Sequence, residues 1–190
     1  METIKIIQLD PERHQYLIPS IIDLQIDCVQ TDAALVRFLP PFPESKREKM
    51  HSFWESHLAQ VTAGGRIIFV ALVASDGRGE DLGGLVELAL PDAETGPFRG
   101  DVEMLMVSSG HRRKRLGNRL MDALEELARD SGRTMLTLSS EEGSVAEAHF
   151  YPRLGYTRFG TIPKYGISPK DGSLRGISYF YKDLTSSSTT

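Results

Sequence analysis

The sequence contains little cysteine and no long apolar segment, and each absence narrows the classes of protein it can be. Cys28 is the only cysteine among 190 residues, so an internal disulfide and a zinc site made of cysteines are both excluded. Cys28 follows Leu17, Ile21 and Leu24 at helical spacing, which predicts a buried structural thiol. No apolar run approaches the roughly 20 residues that a membrane-spanning helix requires.

The N-terminal segment and the charge balance favour an intracellular protein with a small ligand. Residues 1–14 lack the apolar core of a signal peptide, so we expect a cytoplasmic protein, with the nucleus as an alternative. The net charge is −4, from 22 basic and 26 acidic residues, whereas proteins that bind nucleic acid non-specifically are usually basic. Nucleic acid is therefore a disfavoured partner, and the sequence leaves a homodimer open.

Hydrophobic patterning predicts one domain over residues 1–184, followed by a polar, disordered tail at 185–190. Apolar and β-branched runs predict strands at 4–9, 66–75, 82–90, 101–107, 134–138, 156–162 and 174–184. Helical spacing predicts helices at 10–29, 44–61, 116–131 and 143–151, the last of them ending at Pro152. This order predicts an α+β fold with a mixed sheet, in which residues 101–138 form a parallel, right-handed crossover.

The most informative segment runs from a buried strand through a cationic loop into a helix. The strand ends at Val107, the loop contains residues 111–115 (HRRKR), and the helix carries an apolar face that includes Leu120 and Leu124. The first N–H groups of a helix lack intrahelical partners and carry partial positive charge, which makes them an anion site. Gly117 lets a phosphate approach without a Cβ in the way, so the segment predicts a diphosphate or triphosphate site. A solvated basic loop and a nucleic-acid patch are the alternatives.

Three motifs in this order resemble the GCN5-related N-acetyltransferase (GNAT) family. The loop at 112–117 (RRKRLG) is similar to the pyrophosphate motif of that family, which opens its third helix. The strand at 102–107 resembles the fourth strand of the family, and residues 150–156 (FYPRLGY) resemble its C-terminal motif. The resemblance covers nearly the whole chain. It implies a mixed, mostly antiparallel sheet of about seven strands, flanked by four helices and splayed between strands 4 and 5.

The resemblance also implies acetyl-CoA as cofactor. The pyrophosphate would bind the N–H groups at the start of the third helix, and the pantetheine arm would lie along the end of the fourth strand. A backbone N–H near Met106 or Val107 would polarise the thioester carbonyl. The implied cofactor-binding residues are Leu105, Met106, Val107, Arg112, Arg113, Lys114, Arg115, Leu116, Gly117, Asn118 and Ser144.

The chemistry that the resemblance implies is attack of an amine on a thioester. Only about one alkylamine in two thousand is neutral at pH 7, so a base must accept a proton. Asp101 and Glu103 share one strand face and are the candidates, with Glu103 slightly preferred. Tyr151 matches the tyrosine that protonates the departing thiolate. His57 is expected to pack in the core or at the lip of the site, and His149 to lie on the helix surface or pack, rather than to act as bases.

A narrower resemblance is to the tabtoxin-resistance acetyltransferases and their fungal relatives, which acetylate small amines. It rests on residues 38–41 (FLPP), 132–134 (GRT), 160–165 (GTIPKY) and 180–184 (FYKDL), together with Trp54. Phe38, Trp54 and Tyr165 are the candidate substrate-binding residues, although Trp54 has the spacing of a core residue. The function implied is N-acetylation of a small, amino-acid-like or antimetabolite amine. A protein N-acetyltransferase and a non-catalytic acyl-CoA-binding module are the alternatives.

The chain departs from the family pattern at two places. Arg115 stands where the motif has its first glycine, which would cost roughly 1–2 kcal/mol if the backbone there is left-handed. The helix before Tyr151 is one residue longer than usual, which rotates a helix face by about 100°. The identity of the cofactor contact in that helix, Ser144 or a neighbour, depends on how the extra residue is accommodated.

Overall fold

The computed structural model describes residues 2–75 and 78–185, which form one seven-stranded sheet with helices on both faces. The strands are β1 (Thr3–Gln8), β2 (Arg66–Ser75), β3 (Arg78–Ala89), β4 (Arg99–Val107), β5 (Met135–Glu141), β6 (Thr157–Ile167) and β7 (Leu174–Asp183). The α-helices are α1 (Pro11–His14), α2 (Ile18–Asp32), α3 (Glu44–Thr62), α4 (Leu116–Asp130) and α5 (Tyr151–Arg153). A π-helix (Ala146–Phe150) precedes α5, and 3₁₀ turns occur at Gln15–Leu17 and Ser109–His111.

The strand order is β1-β2-β3-β4-β5-β7-β6, and every neighbouring pair is antiparallel except β4 and β5. Helix α4 connects these two parallel strands, which is the parallel crossover that the sequence predicted. The α+β class and the mixed sheet are therefore confirmed. Helices α2, α3, α4 and the segment formed by the π-helix and α5 are the four flanking helices, and α1 is a single turn before α2.

Strand β2 shows how one sheet buries two cores. Because side chains alternate along a strand, Phe69, Ala71 and Val73 pack under α4 on one face. Ile68 and Val70 pack against α2 and α3 on the other face. The predicted structural thiol is confirmed in this second core, where Cys28 is buried and free. None of the helices in the described residues is both long and apolar enough to cross a membrane.

The sheet opens between β4 and β5, as the resemblance implied. The two strands pair only from Arg99 with Met135 to Val102 with Leu138, and β4 continues to Val107 without that neighbour. A β-bulge interrupts the pairing of β4 with β3 at the same level, and Met104 there has a φ of 50°. The bulge and the separation leave the second half of β4 with one free edge.

Two predicted boundaries are wrong. Pro152 does not end the helix: it lies in the first turn of α5, which continues to Arg153. Strand β6 continues to Ile167 through residues that predicted a loop, because Gly166 and Ile167 pair with β7. Of the predicted tail, residues 186–190 lie outside the described part of the chain.

Candidate active site

The basic loop before α4 forms a cradle of backbone N–H groups. Arg113 and Arg115 both have left-handed backbones, with φ of 61° and 59°, so the glycine position of the motif does require this conformation. The N–H of Arg119 is bonded to the carbonyl of Arg115 at 3.1 Å. The preceding N–H groups, those of Leu116, Gly117 and Asn118, have no acceptor within the helix. They are the donors that the sequence predicted for an anion.

The cations of this loop fall into two groups. Arg112 Nη2 lies 2.6 Å from Asp32 Oδ2, and Lys114 Nζ lies 2.5 Å from Glu2 Oε1. These two side chains are therefore held by carboxylates. Arg113 and Arg115 are exposed and have no ion-pair partner within residues 2–75 and 78–185. Their charges are the ones available to a bound anion.

Gly117 is constrained by packing as well as by its place in the cradle. A Cβ at this position would lie 3.2 Å from Cζ of Phe150 and 3.9 Å from Val107 Cγ2. The ring of the residue before Tyr151 therefore lies directly against the first turn of α4. This contact brings the anion cradle and the C-terminal motif together beside the open edge of β4.

The predicted strand contacts line that open edge. Met106 is buried, while Leu105 and Val107 are half-buried. Cys28 Sγ lies 3.7 Å from the carbonyl of Val107, which ties α2 to the end of β4. Burial raises the pKa of Cys28 to about 12, so the thiol stays protonated at neutral pH. Within residues 2–75 and 78–185, no strand pairs with β4 on the β5 side from Glu103 onward, so its peptide groups on that edge can pair with an extended ligand.

The extra residue in the helix before Tyr151 is absorbed by the π-helix. The N–H of Tyr151 is bonded to the carbonyl of Ala146, five residues earlier. A π-turn accommodates one inserted residue without rotating the rest of the helix. Ser144 Oγ accepts a hydrogen bond from the N–H of Glu147 at 3.1 Å and lies 3.2 Å from Ser140 Oγ. Ser144 therefore serves as a helix cap.

Tyr151 lies in the core formed with Tyr156 and Phe180, at ring distances of 6.0 and 5.8 Å. Its side chain is buried, and burial raises the pKa of the hydroxyl to about 12. This hydroxyl makes no hydrogen bond with another residue in the described part of the chain. At neutral pH it is protonated and able to donate.

The two candidate bases have different surroundings. Asp101 accepts a hydrogen bond from the hydroxyl of Thr137 across the paired half of β4 and β5. Glu103 lies at the point where the strands separate, with its side chain 44% exposed, and its Oε2 is 2.7 Å from Nη1 of Arg66. Asp101 thus links the two strands, whereas Glu103 lies at the opening between them.

Sequence reasoning missed a buried charged cluster behind Glu103. Glu87 on β3 is fully buried, and its carboxylate accepts from Arg66 Nη1 at 2.6 Å and contacts His57 Nδ1 at 2.9 Å. His57 is buried and packs against the rings of Phe53 and Trp54, as expected, and its ring also hydrogen-bonds the carboxylate of Glu87. A glutamate inside the apolar run of β3 was the one sequence signal for this cluster.

A groove of about 340 Å³ lies between the loop before α3 and strand β6, and it brings together two of the three predicted substrate contacts, Phe38 and Tyr165. Trp54 is not among them: its side chain is fully buried, and Nε1 donates to Gln25 Oε1 at 3.0 Å. Trp54 is therefore a core residue, as its helical spacing indicated, and its prediction as a substrate contact is wrong. Arg37 also lines the groove.

The fold, the cradle and the open strand edge together define an acyl-CoA-type transferase site. Residues 31–156 match the Acetyltransferase (GNAT) family, well over half of the chain. The chain belongs to that family, as its motifs predicted.

Similar proteins agree with this assignment. The L-methionine sulfoximine/L-methionine sulfone acetyltransferases of Pseudomonas paraeruginosa and Pseudomonas aeruginosa are each 38% identical over 96 residues. That match covers 50% of this chain and 55% of theirs, so the chain spans about half the length of these curated relatives. Their name agrees with the narrower resemblance to acetyltransferases of small antimetabolite amines.

Solved structures share the whole fold at low sequence identity. One is yncA of Salmonella typhimurium with its cofactor acetyl-CoA, at a TM-score of 0.71 and 16% identity, covering 99% of this chain and 98% of that one. Another is the ribosomal-protein-alanine N-acetyltransferase of Brucella melitensis, at 0.70 and 19%, covering 94% and 99%. At this identity the neighbours establish the fold, and the acceptor must be argued from the site.

Proposed function

We propose that this protein is an acetyl-CoA-dependent N-acetyltransferase whose acceptor is a small primary amine of amino-acid type. The observation that carries the proposal is the opening between β4 and β5. The exposed carboxylate of Glu103 lies where the strands separate, and the free edge of β4 runs from there to Val107, beside the N–H cradle of α4.

The chain fits the cofactor. The N–H groups of residues 113–118 and the free cations of Arg113 and Arg115 match the charge of a diphosphate. The unpaired edge of β4 beyond Val102 matches an extended, amide-bearing arm, with Leu105, Met106 and Val107 as its contacts. Arg112 and Lys114 contribute indirectly, because their ion pairs with Asp32 and Glu2 fix the conformation of the loop.

Proton movements are assigned to two side chains. Bound acetyl-CoA supplies the acetyl group as a thioester. Glu103 accepts the proton of the incoming amine at Oε1, the oxygen that Arg66 does not hold. Tyr151 donates its hydroxyl proton to the departing sulfur, and its raised pKa keeps that proton in place beforehand. Asp101 remains the second candidate base.

The groove favours a small acceptor that carries an anionic group. The Arg37 guanidinium lies 4.7 Å from the centre of the Phe53 ring, is exposed, and has no carboxylate partner in the described residues. The ring of Phe53 contacts that of His57 at 4.0 Å, so the groove adjoins the cluster behind Glu103. A free cation in the groove repels basic protein tails and attracts the carboxylate of an amino acid.

The proposal is tested by calorimetry and a thiol-release assay on the wild-type chain. We expect binding of acetyl-CoA, and release of CoA in the presence of amino-acid amines such as methionine sulfoximine. Histone peptides and N-terminal peptides are the protein arm of the assay. Turnover with peptides alone would contradict the small acceptor, and binding without any turnover would identify an acyl-CoA-binding module.

A further inference from the structure

Glu103 on β4 and the cluster behind it form one network of four side chains from four elements. The other three members are His57 on α3, Arg66 on β2 and Glu87 on β3. Arg66 Nη1 is 2.6 Å from Glu87 Oε2 and 2.7 Å from Glu103 Oε2, so one nitrogen bridges both carboxylates. Arg66 Nε also donates to Gln60 Oε1 at 3.0 Å. The guanidinium is thereby fixed from three directions.

Glu87 anchors this arrangement. Its side chain has no exposed surface, and a buried carboxylate is tolerated only when charge and hydrogen bonds compensate it. His57 Nδ1 lies 2.9 Å from both carboxylate oxygens, and Arg66 provides the third contact. The requirement to compensate Glu87 therefore holds Arg66 in place whether or not Glu103 is present.

The strand register explains why the bridge is needed. Glu87 and Glu103 are direct partners in the ladder of β3 and β4, and like charges placed opposite one another repel. Arg66 offsets this repulsion and draws Oε2 of Glu103 inward. Oε1 has no partner within the described part of the chain, and the side chain is 44% exposed where β4 separates from β5.

We propose that Arg66, anchored by Glu87 and His57, is the positioning residue that orients Glu103 to accept a proton from the acceptor amine. Holding Oε2 fixes the rotamer of Glu103 and leaves the lone pairs of Oε1 directed to the opening. Preorganised orientation of this kind raises the rate of proton transfer without changing cofactor binding. The inference rests on the proposed function, because it assigns Glu103 as the base.

A double-mutant cycle between Glu87→Gln and Glu103→Gln tests the assignment. We expect each single variant to lower kcat at least tenfold, with KM and the calorimetric Kd for acetyl-CoA unchanged. In the Glu103→Gln background, we expect the Glu87 substitution to lower kcat by less than twofold further, because there is no longer a base to position. Arg66→Lys repeats the cycle with a variant that keeps the buried positive charge but loses the planar fork.

Glu125→Gln is the matched control, since Glu125 is a buried carboxylate that pairs with Lys182 at 2.6 Å beneath α4. It removes a comparable buried charge, and we expect its kcat to stay within twofold of wild type. If the losses in kcat of the single variants multiply in the double variants of both cycles, Arg66 and Glu87 have a purely structural role. That result would overturn the assignment and leave the proposed function intact. A wild-type chain that transfers no acetyl group would overturn both.

Discussion

Nη2 of Arg112 lies 2.6 Å from Oδ2 of Asp32, and this ion pair ties the loop before α4 to the last turn of α2. The same nitrogen donates to Thr31 Oγ1 at 3.1 Å. Arg112 occupies the first position of the pyrophosphate motif, yet its charge is already matched within the protein. The neighbouring Arg113 has no such partner in the described residues. The two arginines therefore contribute to anion binding in different ways.

Arg113→Ala is expected to weaken CoA binding more than Arg112→Ala does. A free cation beside a diphosphate contributes on the order of 1 kcal/mol, or about fivefold in Kd. Removal of Arg112 exposes the carboxylate of Asp32 and costs little stability, since both partners are over 40% exposed. Calorimetry at low and high salt measures the difference in Kd for CoA between the two variants. This difference should become smaller as salt screens the charges. Equal Kd values for the two variants would contradict this division.

Replacing Arg115 with glycine is expected to stabilise the fold and weaken the site. Arg115 has a φ of 59° and a ψ of 24°, a left-handed backbone that costs non-glycine residues roughly 1 kcal/mol. We expect Arg115→Gly to raise the free energy of urea unfolding by about that amount. The Kd for CoA should rise severalfold with the loss of an exposed cation.

Ala33→Gly is the matched control for this prediction. Ala33 caps α2 with a φ of 55°, so the same relief of backbone strain is expected without any effect on CoA binding. An Arg115→Gly protein that is less stable than wild type would show that the arginine side chain contributes packing energy that offsets the strain.

Gly117 lies in a part of the site that the sequence predicts, whereas Glu87 lies in a part that it does not. The strand, cations, glycine and helix around Gly117 are consecutive, and a local pattern of this kind determines local geometry. Hydrophobic patterning predicted the order of the elements and the parallel crossover, and the family resemblance implied the opening of the sheet. The extra residue before Tyr151 was recognised, but the expected rotation of the helix face does not follow from it, because the π-helix accommodates that residue.

The network of Glu103 and the cluster behind it could not be predicted, because its members come from four separate elements. Which side chains meet across strands depends on the strand register. The bulge at Met104 shifts the register between β3 and β4, and the sequence there carries no distinctive signal for a bulge. His57 lies on the apolar side of α3 and matches a packing residue equally well. The depth of Glu87 in the sheet shows that the histidine hydrogen-bonds a buried carboxylate.

Arg37→Gln is expected to impair the use of amino-acid acceptors selectively. The Arg37 guanidinium stacks on Phe53 in the groove, where it is placed to pair with a carboxylate. We expect KM for an amino-acid acceptor to rise about tenfold, the cost of roughly one charge-assisted hydrogen bond. KM for a matched amine without the carboxylate should not change. The control is Lys164→Gln, which removes an exposed cation on β6. An equal rise in KM for that variant would indicate a general effect of charge.

Tyr151→Phe is expected to abolish most turnover while preserving binding and folding. If Tyr151 supplies the proton to the departing sulfur, its loss should lower kcat by on the order of 10², with the Kd for CoA unchanged. The matched control is Tyr156→Phe, because Tyr156 is buried in the same core and its ring contacts that of Tyr151. Its kcat should remain near wild type, and a similar loss in both variants would point to core packing.

Alkaline unfolding reports the state of the Tyr151 hydroxyl independently of activity. Burial raises the pKa of Tyr151 to about 12, whereas an unfolded tyrosine ionises near 10. Between these values the unfolded chain gives up a proton that the folded chain retains, so the free energy of unfolding falls as pH rises. Relative to Tyr151→Phe, the wild type should lose about 2 kcal/mol between pH 10 and 12, at up to about 1.4 kcal/mol per pH unit. Urea titrations at each pH measure the difference, and parallel curves for the two proteins would show that the hydroxyl is hydrated in the folded state.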